Sequence, residues 1–80
     1  MSYPKVISVT PMPNKFLLVE FSTGESKLFD AKPYIFGSWY GELKDDEYFQ
    51  TVRPCGSTVA WSHGQDIAPH ELYELSVLKD

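Results

Sequence analysis

Eighty residues make at most one domain, and a chain of this length buries only roughly 60% of its unfolded surface, so each large apolar side chain counts. Its apolar share of 42%, with 15% aromatic, excludes a disordered polar tail, and its formal net charge of −4 disfavours nucleic acid as a partner.

The charge is uneven. In residues 1–40 four lysines face three carboxylates, a net of +1, whereas in residues 41–80 three basic residues face eight acidic ones, a net of −5. No two basic residues are adjacent, so no basic stripe for DNA or RNA forms. An acidic half suits a small basic protein partner or a merely solvated surface. Cys55 is the single cysteine, so no intramolecular disulfide is possible, which fits a reducing compartment. Met1-Ser2-Tyr3-Pro4-Lys5 lacks the pattern of a signal peptide, and no apolar run is long enough to span a bilayer. The expectation is a cytoplasmic protein with no membrane contact.

In chain order, Lys5 to Thr10 reads as a strand with Ile7 and Val9 on one face, broken by Pro11-Met12-Pro13-Asn14. Phe16 to Phe21 is the clearest strand. Leu17, Val19 and Phe21 share one face, and Phe16 and Leu18 share the other with Glu20, which predicts a central strand or one covered on both sides. Ser22-Thr23-Gly24-Glu25 is a tight turn, and Ser26 to Asp30 pairs back as a hairpin.

Residues 31–44 are dense in large side chains: Tyr34, Ile35, Phe36, Trp39, Tyr40 and Leu43. Asp30 and Pro33 suit the start of a short helix near Lys32, while Gly37 and Gly41 prevent a long one. These aromatics either close over the core or form an exposed patch for a partner, with a ligand pocket as a third use. Asp45-Asp46-Glu47 opens a second helical turn, where the helix dipole favours negative charge. A strand is expected from Tyr48 or Phe49 through Val52, a turn at Pro54-Cys55-Gly56-Ser57, and a return strand over Val59 to Trp61. A helix is expected from Pro69 to about Leu78, with Leu72, Leu75 and Ser76 on its buried stripe and Tyr73 and Val77 beside it. Ala68 at its N-cap offers no capping oxygen, which leaves Asp66 to supply one.

The fold class expected from this order is α+β: a small antiparallel sheet of about five strands (β-β-β-short α-β-β-α) packed with a C-terminal helix, in one domain over residues 1–80. Trp61 is expected to be structural, its ring over the helix and its Nε1–H reaching the loop.

The candidate chemistry is sparse. His63, Asp66 and His70, with Cys55, have donor types that suit zinc or iron, but Gly64 and Pro69 interrupt any single-helix spacing. Cys55 with either histidine lacks the setting that activates a thiolate. Asp45, Asp46 and Glu47 read as a solvated helix start, and the five glycines match no phosphate-binding spacing. No catalytic residue, metal or cofactor is therefore expected.

The assembled pattern resembles the family of short bacterial domains known as domain of unknown function 2442. It is carried by Val9-Thr10-Pro11, Leu17-Leu18-Val19-Glu20-Phe21, Gly24-Glu25 and Phe29-Asp30, then by Leu43, Phe49, Val52 and Val59-Ala60-Trp61. The most specific part is the ending W-x-x-G-x-D-I-x-P-x-x-L-Y, which holds Trp61, Gly64, Asp66, Ile67, Pro69, Leu72 and Tyr73. The chain departs from the usual pattern at Ser62, Ala68 and His70, where the family favours a proline, a serine and an acidic residue.

The resemblance implies an α+β domain with a small antiparallel sheet and no assigned activity. It also implies a gene neighbour from a second family of unknown function, number 4160, in an arrangement suggestive of toxin–antitoxin pairs. Some members add a C-terminal helix-turn-helix; the sequence to Asp80 shows none. The expectation for function is a non-enzymatic protein-interaction domain, the antitoxin-like or accessory member of a two-protein bacterial module, with homodimerisation open. Its partner-binding residues are expected to be Tyr34, Phe36, Trp39, Tyr40, Glu71 and Glu74. The alternative is a small-ligand or metal-binding module using the loop from Trp61 to Pro69.

Overall fold

A computed structural model describes residues 3–79, apart from the side chains of Ser38 and Trp39. The architecture is the expected α+β one. Its strands divide into a four-stranded antiparallel sheet, in the order β1 (Val6–Met12), β2 (Phe16–Phe21), β3 (Ser26–Asp30) and β6 (Val77–Leu78), and a separate two-stranded hairpin of β4 (Arg53–Cys55) and β5 (Thr58–Ala60).

β1 (Val6–Met12), β2 (Phe16–Phe21) and β3 (Ser26–Asp30) form a meander. The alternation in β2 places Leu17, Val19 and Phe21 on the buried face, with Phe16 and Leu18 half-buried on the other. β2 is central, as its two apolar faces predict, but its second face is only partly covered; there the Lys32 ammonium lies 4.2 Å from the centre of the Phe16 ring.

Two features of β1 differ from expectation. The strand runs on through Pro11, which pairs with Leu17; β1 is an edge strand, where a missing N–H need not interrupt a ladder. A bulge between Val6 and Ser8 then changes which residues face the core. Val6 and Val9 turn inward, and Ile7, expected beside Val9, is 65% exposed.

Between β3 and β4 the chain forms short helical turns instead of one helix. A 3₁₀ turn over Lys32–Tyr34 begins where Asp30 Oδ1 accepts the Lys32 N–H at 3.0 Å. α1 (Gly37–Tyr40) passes directly into a 3₁₀ turn over Gly41–Lys44, so Gly41 changes the pitch without stopping the helix. α2 (Asp46–Phe49) is capped by Asp45, whose carboxylate accepts the Glu47 N–H at 3.0 Å.

That cap explains the displaced strand. Tyr48 and Phe49 are held in helix, and β4 (Arg53–Cys55) begins only after them. Pro54 and Cys55, expected in a turn, pair with Val59 and Thr58 of β5 (Thr58–Ala60). The turn itself is Gly56-Ser57, with Gly56 at a φ of 61°, the left-handed geometry that two-residue hairpins favour.

The closing helix is shorter than its sequence pattern suggests. α3 (Pro69–Leu75) ends where Ser76 becomes extended, and β6 (Val77–Leu78) then pairs with β3 through Leu28 and Lys27. Leu72 and Ser76 are buried and Tyr73 is half-buried, but Leu75 is 61% and Val77 68% exposed, against the expected stripe. The open edge of β3 offers unpaired backbone groups, and capturing the chain there satisfies more of them than another helical turn would.

The core lies between the inner face of the sheet and the irregular half. β2 and Phe29 of β3 meet Ile35, Leu43 and Phe49 from the helical turns, and Val59, Trp61, Ile67 and Leu72 from the C-terminal third. Trp61 is 1% exposed and packs on Phe49. Its Nε1–H donates to the Phe49 carbonyl at 2.9 Å. Trp61→Phe keeps most of the apolar volume but removes one of the two bonds to that carbonyl, which retains only the Val52 N–H at 3.3 Å, and should cost about 0.5–1.5 kcal/mol. Urea unfolding should show a lower midpoint at unchanged slope, and an unaltered midpoint would contradict this role.

Candidate functional site

The loop after Trp61 is built around a buried amide. Trp61 and Gln65 close the turn through a backbone bond of 2.9 Å, with Gly64 at its apex at a φ of 98°. Gln65 is fully buried. Its Oε1 accepts the Tyr48 hydroxyl at 2.7 Å and its Nε2 donates to Glu42 Oε1 at 2.9 Å. Glu42 Oε2 lies 2.8 Å from His63 Nδ1, and the His63 backbone N–H donates to the Tyr48 hydroxyl at 2.9 Å. The His63 and Tyr48 rings stack at 4.8 Å. Glu42, Tyr48, His63 and Gln65 thus form a closed ring of polar contacts that ties the loop to the helical turns.

Sequence reasoning singled out His63 and missed its partners. A glutamine after a turn glycine gives no sign that it is buried, and Glu42 and Tyr48 lie 23 and 17 positions from Gln65.

The other residues of this loop act mainly through the backbone. Asp66 bridges Ala60, its carbonyl accepts the Tyr40 hydroxyl at 3.0 Å, and α3 has no side-chain N-cap bond. Asp66 therefore does not supply the expected cap. The Thr58 hydroxyl donates to the Ile67 carbonyl and fixes the approach to Pro69. Among the described residues no three His, Cys, Asp or Glu side chains come together around a possible metal position. Cys55 is exposed on β4 and His70 is exposed on α3.

The expected partner-binding residues separate into different roles. Tyr34 is half-buried against Phe29, with ring centres 5.5 Å apart. Burial, together with the nearby Glu71 carboxylate, pushes its hydroxyl above the ordinary tyrosine value. Tyr40 is half-buried and bonded to Asp66, while Phe36 stands 69% exposed. Glu71 is half-buried, and Glu74 is exposed and accepts the Tyr3 hydroxyl. The side chain of Trp39 lies outside the described residues.

A second region was not foreseen. An open groove of about 390 Å³ runs between the β1–β2 connection and α2, lined by Pro11, Met12, Pro13, Asn14, Asp46, Phe49 and Gln50. Beneath it, the Lys15 ammonium pairs with Asp46, donates to the Lys44 carbonyl at 3.0 Å, and lies 5.0 Å from the centre of the Phe49 ring. Asn14 and Lys15 both have a φ of 63°, the left-handed region that a lysine rarely adopts.

Helix α3 is pinned to the sheet by a third cluster. The Tyr73 hydroxyl donates to Glu25 Oε1, and its ring meets Phe21 edge-on at 5.1 Å. Lys27, 9% exposed, lies 3.8 Å from the centre of that ring and donates to the Tyr73 carbonyl at 2.7 Å. The buried ammonium is thus compensated by a carbonyl and an aromatic face.

These features define an α+β domain in which a four-stranded sheet and a C-terminal helix hold an irregular acidic half. The chain belongs to the family described as protein of unknown function (DUF2442), whose sequence model matches residues 6–77. No curated protein and no solved structure matches it.

The Tyr73–Glu25 contact carries a pH signature. The bond from Tyr73, then that from Thr23, holds the Glu25 carboxyl below its ordinary 4.5. A lowered acid stabilises the folded state above that value, and its contribution disappears as pH falls through the folded-state value. The same bond raises the Tyr73 hydroxyl above 10.0, so its contribution is present below pH 10 and disappears in stronger alkali. Urea midpoints taken from pH 7 to pH 3 should fall less steeply for Glu25→Gln than for the native chain. Identical slopes would show that this carboxylate is not linked to folding.

Proposed function

We propose that this chain is a non-enzymatic protein-interaction domain, the antitoxin-like or accessory member of a two-protein bacterial module, acting in the cytoplasm on a small basic partner. The observation that carries this reading is the surface offered from Phe36 to Gln50. It has a large exposed aromatic at one end, exposed Glu42, Asp45, Asp46 and Glu47 along its turns, and the groove at the other end. Neighbouring Ile35, Leu43 and Phe49 are committed to the core, so the exposure of Phe36 is not a general property of the segment.

An apolar anchor flanked by charge is the arrangement that protein interfaces use, the charges steering a partner of opposite sign and the anchor supplying affinity. The acidic second half fits a basic partner, as does the two-gene arrangement implied by the family resemblance. Glu71, beside Tyr34, adds charge to the same side as the aromatic run.

The ligand-binding alternative on the loop from Trp61 to Pro69 gains less support. The Gln65 side chain, the Trp61 indole N–H and the Thr58 hydroxyl beside the loop are bonded within the chain. Among the described residues no buried side-chain nitrogen or oxygen lacks a partner that a ligand would satisfy.

Affinity-tagged protein expressed in its native host should co-purify at moderate salt with one small basic protein in near-stoichiometric amount. Phe36→Ser should weaken that recovery by about tenfold or more, in the range of an interface anchor, with an unchanged thermal melt. A protein that purifies alone, or a partner indifferent to both Phe36→Ser and Glu71→Lys, would overturn the proposal.

A further inference from the structure

The outer face of the main sheet is apolar at its centre, where a sheet with one face in water alternates to polar side chains. Leu17, Val19, Phe21 and Phe29 face the core. On the opposite face the cross-strand register sets Leu18 beside Leu28, and Leu28 beside Val77, in one row across β2, β3 and β6. Phe16 continues the apolar surface along β2. Phe16, Leu18 and Leu28 are half-buried and Val77 is 68% exposed. None of the four belongs to the core cluster, which lies on the other side of the sheet with Leu72 of α3 and the helical turns.

Charge identifies what covers this face. Glu20 pairs with Ser26 across β2 and β3, and the Lys79 N–H donates to the Ser26 carbonyl at 2.9 Å. Glu20 and Lys79 therefore stand in one row, two strands apart. At the other end of the face Asp30 and Lys32 form their own ion pair at 3.0 Å, with the Lys32 ammonium over the Phe16 ring. Glu20 and Lys79 are exposed, and neither forms an ion pair among the described residues. A basic protein finds no excess of acid here, unlike at the acidic turns over residues 42–47. A second copy of the chain presents the same two charges in reverse order, so each Glu20 meets a Lys79.

The register is self-complementary in the way a two-fold contact requires. Stacked sheets keep their strands within about 30° of each other. A two-fold axis along the strands, midway between β2 and β3, sets Leu18 on the second copy's Leu28 and Leu28 on the second copy's Leu18. Thr10, which pairs with Leu18, then faces the second copy's Val77. The second copy's Lys79 lies over Ser8, whose hydroxyl donates to Glu20 at 2.8 Å. Strands about 4.8 Å apart and about five residues long, at about 3.4 Å per residue, give a four-stranded footprint of roughly 300 Å². Two footprints with their rims bury about 600–1,000 Å², the size of a weak, reversible association.

We propose that two copies of this chain associate through the outer faces of their main sheets, with Leu18 on the second copy's Leu28 and Glu20 paired with the second copy's Lys79. The acidic turns on the other side of the sheet remain free, so the dimer is independent of the basic-partner reading.

Sedimentation velocity of the full chain at low salt should show a monomer at roughly 10 µM and a growing dimer fraction toward roughly 1 mM. Over the same range the ¹⁵N amide signals of Leu18, Leu28 and Val77 should move together. Leu28→Glu puts a charge at the centre of the contact and should abolish the dimer throughout. Lys79→Glu alters an exposed side chain and removes both charge pairs, so association should weaken by about fivefold or more. Adding Glu20→Lys to that variant should restore it. A chain that stays monomeric across the range, shifts that fall on residues 36–50 or scatter over the surface, or a dimer that survives Leu28→Glu would overturn the proposal. Where Leu28→Glu does not fold, the charge reversal decides: unchanged association in Lys79→Glu, or no recovery in the double variant, would overturn it as well.

Discussion

A buried side-chain amide governs the irregular half of this domain. Gln65 has no exposed surface, and an amide taken out of water without partners costs about 1–3 kcal/mol. Its oxygen and nitrogen are met by Tyr48 and Glu42, from two different helical turns. The turns are only four residues long and cannot be stable alone. They are held because the loop after β5 needs them as hydrogen-bond partners, while Leu43 and Phe49 from the same turns fill the core beneath. Trp61 acts in the same direction, its indole N–H bonded to the Phe49 carbonyl. Polar satisfaction and apolar packing thus recruit the same two turns, and the acidic surface they carry is positioned as a consequence.

The regular half is governed by its edges. β2 is protected on both sides by β1 and β3, but the outer edge of β3 would be left open by a three-stranded meander. β6 covers part of it, and Lys27 and Tyr73 lock the preceding helix in place. The cost is the exposure of Leu75, Val77 and Leu78, three apolar side chains close together in sequence. At the opposite edge the bulge in β1 turns Val6 inward, and the prolines limit further pairing.

The meander was legible in the residues because its signals are local. Alternation in Phe16–Phe21, a glycine turn at Gly24 and a matching run to Asp30 act within a dozen positions. The tight ending of the chain was legible in part: Gly64 at a turn apex and Pro69 at the start of α3 follow the sequence pattern, whereas Trp61 lies just past β5 and its indole N–H, expected to reach the loop, bonds the Phe49 carbonyl of α2 instead. The aromatic run was harder to read. Tyr34 and Tyr40 are half-buried while Phe36 faces solvent, and composition alone does not distinguish these outcomes. The groove was not legible, because Asn14 and Gln50 lie on elements that meet only in the folded chain.

Local stereochemistry therefore determined the α+β class, the first hairpins and the entry of α3, since each depends on neighbours a few residues away. Tertiary structure decided where α3 stops, which strands join the main sheet, and that Tyr48 and Phe49 are helical. It also decided that Glu42, Tyr48, His63 and Gln65 form one network. Those outcomes depend on open strand edges and buried polar atoms that exist only once distant segments have packed, and a hydrophobic pattern read along the chain contains no record of them.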